Sequence, residues 1–110
     1  MKNIGYLNAS KKETGEQYRG RIDTLPFSEA IMMKKAVKRS ASDKAPDYDI
    51  YVERAQGNIV HVGAAWKKKG PNRYYLSLHI DDPSLPEALN LMGFKQDGKD
   101  SYDLVWKRQS

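Results

Sequence analysis

The chain has 110 residues, 39% in the hydrophobic class and 30% charged, which suits one folded domain over residues 1–110 and is too apolar for a disordered chain. It has no cysteine, which excludes a disulfide scaffold, a thiolate zinc site, an iron–sulfur cluster and a thiol nucleophile. Nineteen Lys and Arg against fourteen Asp and Glu leave a net charge of +5, compatible with a polyanionic partner but short of a dedicated nucleic-acid tail.

Alternation, not helical periodicity, dominates the pattern along the chain. Residues 4–8 predict a short strand, followed by a polar loop over 10–16. In residues 18–25, Tyr18, Gly20 and Ile22 face one way and Arg19, Arg21 and Asp23 the other, so this is a half-buried strand with a charged outer face. The two strands make an opening hairpin, and Pro26 ends it. Residues 28–36 carry helix formers and can be read as helix or strand; the flanking alternation favours a strand from about Met32. Residues 40–47 have the composition of a loop. Residues 48–53 alternate, with Tyr48, Ile50 and Val52 inward, and Gln56-Gly57-Asn58 is a turn. Residues 59–66 form the most apolar run and read as a central strand. Its small Gly63-Ala64-Ala65 predicts a bend or a close approach of the neighbouring backbone.

A polar turn at 67–73 leads into a strand over 74–80 with Tyr74, Leu76, Leu78 and Ile80 on one face, completing a second hairpin. Ser84 can cap a short helical turn over 85–89. Residues 91–94 are a strand or a packing loop, Asp97-Gly98 has hairpin-turn chemistry, and residues 102–106 close the chain as a strand. The expected fold is all-β: a small antiparallel barrel or sandwich of six to eight short strands with one short helical turn. Trp66 and Trp106 are expected in its core with Ile50, Val52, Leu76 and Leu78.

Three stretches occur in a familiar order: Ser42-Asp43-Lys44-Ala45-Pro46-Asp47-Tyr48, Gly63-Ala64-Ala65-Trp66-Lys67-Lys68, and Tyr75-Leu76-Ser77-Leu78-His79-Ile80-Asp81-Asp82-Pro83-Ser84. With the N-terminal Ile4-Gly5 and the closing Tyr102-Asp103-Leu104-Val105-Trp106, the chain resembles a family of small bacterial proteins, domain of unknown function family 736. The resemblance covers nearly the whole chain and brings no catalytic residues. It implies a bacterial source and, because members often sit among genes of plasmids and integrating elements, a role connected with nucleic acids. The Met-rich stretch 29–35 and residues 90–94 depart from the family's pattern.

His79 and Asp81, two apart on a strand, share a face, but the nearby sequence offers no third ligand, so a surface histidine beside a turn aspartate is expected and no metal is assigned. Asp81 and Asp82 are adjacent and point to opposite faces, which favours turn chemistry over a shared proton. The segment 43–47 fits a functional loop and a structural turn equally. No glycine spacing makes a phosphate cradle. With no nucleophile–base pair either, the sequence points away from an enzyme, and no cofactor is expected.

Tyr51 and Tyr75 fall on the outward register, where Arg19, Arg21, Lys67, Lys68, Lys69 and Arg73 can surround them. Exposed aromatics among cations on a sheet are what single-stranded nucleic-acid binders use. The alternative is a solvated charged face. The expected binding set is Arg19, Arg21, Lys67, Lys68, Lys69, Arg73 and Tyr75, on the condition that the hairpin 59–80 lies beside the strand 18–25. The sequence therefore reads as a small binding module for single-stranded DNA or RNA. A second reading is a protein–protein interaction module, such as a homodimer joined edge to edge. A third is a small-molecule-binding barrel or a hydrolase using Asp81 or Asp82 with His79. No apolar run spans a bilayer and the first residues lack the hydrophobic core of a signal peptide, so the expected location is the cytoplasm, away from membranes.

Overall fold

The chain forms eight strands: β1 (Lys2–Lys12), β2 (Gly15–Asp23), β3 (Ser28–Lys35), β4 (Tyr48–Glu53), β5 (Ile59–Lys69), β6 (Tyr74–Ile80), β7 (Leu89–Lys95) and β8 (Ser101–Trp106), with inward and outward side chains alternating along most of them. The computed structural model describes residues 2–12, 15–24, 28–36, 45–83, 85 and 87–106. Each strand pairs antiparallel with its neighbours in the chain, and β8 returns to pair with β1, so the sheet closes as an up-and-down barrel. Of the two expected architectures, the barrel is the one adopted. Within residues 28–36 the chain forms a strand over Ser28–Lys35, starting earlier than Met32, and Leu89–Lys95 is a strand too. β1 and β2 extend into the stretch read as a polar loop, reaching Lys12 and starting at Gly15.

Among the described residues the helical turn is the 3-10 turn Ala55–Gly57. The turn expected after Ser84 falls partly outside the described residues, which omit 84 and 86. What is seen there is a Leu85 N–H donating to the Asp82 carbonyl at 2.9 Å, with β7 already under way at Leu89. Pro26 and the segment 40–44 of the expected loop also lie outside the described residues.

The barrel interior is filled by side chains from every strand. Leu7, Ile22, Ile50, Leu78 and Leu104 lie at its centre with at most 1% exposure. Toward the end where the β1–β2, β3–β4, β5–β6 and β7–β8 connections gather, Tyr18 sits edge-on between Tyr48, at 5.3 Å between ring centroids, and Tyr102, at 5.6 Å. Edge-to-face contacts of this kind stabilise beyond the area that each ring buries, because the positive edge of one ring meets the negative face of the other.

The tryptophans differ from expectation. Ala65 takes the inward position, so Trp66 points to the outer face, half-buried opposite Ser77. Trp106 is half-buried and packs against the core from its end. Tyr74 keeps the inward parity of Leu76 and Leu78, but at the strand end it is 62% exposed.

The small residues of β5 do what their size suggests. The β4–β5 register shifts between Ile50 and Tyr51, and a Cβ on Gly63 would run into the His79 carbonyl oxygen of β6. Gly20 on β2 is in the same position against the Tyr6 carbonyl of β1. The eight described strands close on one another and leave no unpaired edge strand. No helix among the described residues is long and apolar enough to cross a membrane.

Two stability measurements test this packing. Gly63→Val should destabilise by about 1–3 kcal/mol, the usual cost of overpacking, and lower the melting temperature by several degrees. Tyr18→Ala should cost about 3–5 kcal/mol as a buried aromatic truncation, and Trp66→Ala clearly less, since Trp66 lies outside the core. Denaturant titrations followed by circular dichroism give both values; equal losses at Tyr18 and Trp66 would contradict the inward and outward assignments.

Candidate functional site

At the end capped by the tyrosines, strand alternation places charge where the core runs out. Lys67 and Lys69 of β5 stand opposite Leu76 and Tyr74, and Lys95 of β7 stands opposite Tyr102. These are inward-parity positions at strand ends, so the side chains form an exposed rim. A long lysine stem can lie along apolar surface there while its ammonium stays in water.

Between the β5–β6 turn and the β7–β8 turn the rim encloses a groove of about 310 Å³. It is lined by Lys67, Arg73 and Lys95, by Tyr74, Tyr75 and Tyr102, and by Leu76, Gln96, Asp97 and Gly98. Its walls are set by local backbone bonds. The Gly70 N–H donates to the Arg73 carbonyl at 2.9 Å, and the Gln96 N–H donates to the Ser101 carbonyl at 2.8 Å. Gly98, at φ 71°, supplies the left-handed residue that the second turn needs. The Arg73 guanidinium carbon lies 4.8 Å from the centre of the Phe94 ring, a cation–π distance, and Tyr75 lies 6.0 Å from the same ring.

Asp47 holds the base of this rim. Its Oδ2 accepts the Lys67 N–H at 2.8 Å, its own N–H donates to the Ala65 carbonyl at 3.0 Å, and its carbonyl accepts the Ala36 N–H at 3.0 Å. For this residue the structural side of the 43–47 segment is the one observed; residues 43 and 44 lie outside the described ones.

The expected binding residues divide. Lys67, Arg73 and Tyr75 meet in the groove, Lys69 stands on the rim, and Lys68 faces outward opposite Tyr75. Arg19 and Arg21 do not join them. β2 pairs with β1 and β3, while the β5–β6 hairpin pairs with β4 and β7, so the condition that placed the hairpin beside β2 is not met. An all-neighbour barrel puts those strands on different sides of the wall.

Arg19 faces Glu53 instead, with Nη1 2.9 Å from Oε1. That Oε1 is removed from solvent and the contact lacks hydrogen-bond alignment, so it is an ion pair by distance alone. Arg21 donates from Nη1 to Ser28 Oγ at 2.6 Å. Tyr51 lies 5.3 Å from the His61 ring on the outer face. His79 bonds through Nδ1 to Asn90 Oδ1 at 2.8 Å, also on the outer face, and the Asp81 N–H donates to the Val62 carbonyl at 2.8 Å.

Lys95, Tyr74 and Tyr102 are groove residues that the sequence alone did not single out. The usable signal was present: following the inward alternation to the ends of β5 and β7 and back to the starts of β6 and β8 brings Lys67, Lys95, Tyr74 and Tyr102 to one end.

A family model described as Protein of unknown function (DUF736) matches residues 3–109, so the chain belongs to that family, the one its ordered motifs resemble. No curated protein and no solved structure matches the chain.

The anchoring bond of Asp47 gives a direct test. Asp47→Ala should cost about 1 kcal/mol, the net worth of a hydrogen bond, and Asp47→Asn, which keeps an acceptor, should cost less. Denaturant midpoints decide it; if the two variants are equally stable, the side chain does not hold Lys67.

Proposed function

We propose that this member of the DUF736 family is a non-catalytic cytoplasmic binding module that takes single-stranded DNA or RNA in the groove at the barrel mouth, weakly and with little sequence preference. The observation that carries this reading is the convergence of Lys67, Arg73 and Lys95 with Tyr74, Tyr75 and Tyr102 on one groove. Cations on flexible stems attract phosphates without reading sequence, and a phenol face stacks on any base. Tyr74, at 62% exposure, buries little on folding, so packing gives no account of an aromatic ring at that place. The net charge of +5 adds long-range attraction at low salt. A second reading, a protein–protein contact, draws on Ile59 and Val60, which are 43% and 40% exposed on the far part of β5.

The test is a titration of fluorescent oligothymidylate and oligouridylate against salt. Three phosphate contacts should give a log–log slope of about −2. Replacing Lys67, Lys68 and Lys69 with Ala, or Lys95 with Ala, should flatten the slope. Tyr75→Ala and Tyr74→Ala should weaken binding with the slope kept, each by about tenfold, as for the loss of a stacked base. No binding of either oligonucleotide at low salt would end this reading, and salt-insensitive self-association would put the protein contact in its place.

A further inference from the structure

The register of the sheet builds a second feature on the outer wall. Lys68 of β5 stands opposite Tyr75 of β6, whose ring meets Phe94 of β7 at 6.0 Å. Phe94 stands opposite Asp103 of β8, Asp103 opposite Tyr6 of β1, and Tyr6 opposite Arg21 of β2. All of them face outward, because their strand neighbours Leu76, Gly93, Leu104, Leu7 and Ile22 are the buried positions. The row thus carries aromatic rings on β6, β7 and β1, with a cation at each end and the Arg73 guanidinium over its middle ring. Tyr6 is 46% exposed, so core packing again does not account for it.

Resting on the groove reading, we propose that a single strand held at the mouth continues across this row. Tyr75 and Tyr6 stack its exposed bases, while Lys68, Arg21 and Arg73, which lies over the Phe94 ring between them, meet its phosphates. Strands lie about 4.8 Å apart, so the path around the curved wall is about 14 Å from Tyr75 to Tyr6 and about 24 Å from Lys68 to Arg21, a span of several nucleotides. The occupant is single-stranded because stacking on a tyrosine needs a base face that a duplex keeps covered. Charge and ring together favour this occupant over an apolar partner, which the flanking cations would not serve. Asp103 is the one acidic member of the row. Its Oδ1 accepts a hydrogen bond from Gln96 Nε2 at 2.9 Å, and its charge opposes any phosphate passing over β8. The strand therefore crosses β8 with its bases toward the wall.

The experiment compares oligothymidylates of about four and about twelve nucleotides, bracketing the span of a groove and that of a groove plus row. The longer one should bind the unaltered protein at least tenfold more tightly. Tyr6→Ala should remove that gain and leave the shorter one unchanged, while Tyr6→Phe, which keeps the ring, should bind like the unaltered protein. Tyr75→Ala should weaken both. Asp103→Asn should tighten the longer one alone. Tyr6 is exposed, so its truncation should leave the melting temperature in place, and a melt recorded beside each titration separates misfolding from lost contact. If Tyr6→Ala affects both lengths equally or neither, while Tyr75→Ala still weakens the short one, the groove stands and the path across the wall is wrong. If neither length binds, both are wrong.

Discussion

When β8 pairs with β1, from Lys2 opposite Trp106 to Asn8 opposite Ser101, the backbone groups at the two ends of an eight-strand meander become each other's partners. The rest of the architecture depends on that closure. An eight-strand barrel is narrow enough for its own side chains to fill, and here they do. The interior therefore takes one layered set of Leu, Ile, Val, Met and Tyr, and local crowding is relieved where side chains are omitted. Gly20 and Gly63 are two such places, each lying where a Cβ would meet the carbonyl of the adjacent strand. A closed sheet also needs no edge protection, which matters for a small domain with little mass to spare for covering one.

Closure sorts positions by height as well as by side. In the middle of the barrel an inward position is apolar and buried; at the mouth the same parity delivers Lys67, Lys69, Tyr74 and Lys95 to a rim. The Tyr18–Tyr48–Tyr102 contacts sit beneath that rim, so the mouth is a shallow groove with an aromatic floor, not the entrance to a hollow lumen. The same strand logic that stabilises the fold thus sets cations beside ring faces. That juxtaposition is what a phosphate-and-base ligand needs, and it arises without any loop dedicated to it.

Much of this was legible in the sequence. Tyr18-Arg19-Gly20-Arg21-Ile22 and Tyr48-Asp49-Ile50-Tyr51-Val52 alternate cleanly, because one face of each strand meets core and the other meets water. The hairpin from 59 to 80 and the tight place at Gly63 also followed from residue type. What was hidden has physical reasons. Residues 59–66 are apolar on both faces, so nothing local fixes their parity; the register shift beside Val62 and the inward Ala65 turn Trp66 outward. Polar residues at 10–16 read as loop, yet two long strands carry a hairpin beyond the core. Tyr74 looked like core because parity says inward and is silent about height. Strand adjacency was hidden for a different reason: alternation describes one strand at a time, so it could not show which walls would receive Arg19 and Arg21.

That last point changes what the charge distribution means. Along the chain, residues 1–42 hold a surplus equal to the whole net charge, while 43–66 are acidic. In the barrel the two described arginines of the first segment are drawn to nearby oxygens, Arg19 to Glu53 across β3 and Arg21 to Ser28. An ion pair such as Arg19–Glu53 cancels charge locally, so a count made along the sequence overstates the field on that wall. The cations that lie beside exposed rings come chiefly from the later part of the chain, where the linear surplus is smaller. Local pairing and height in the barrel, not the number of basic residues in a segment, decide where an attractive field and an exposed ring coincide. By that criterion the mouth and the Tyr75–Phe94–Tyr6 wall outrank the Arg19 face, although the sequence count alone ranks them the other way.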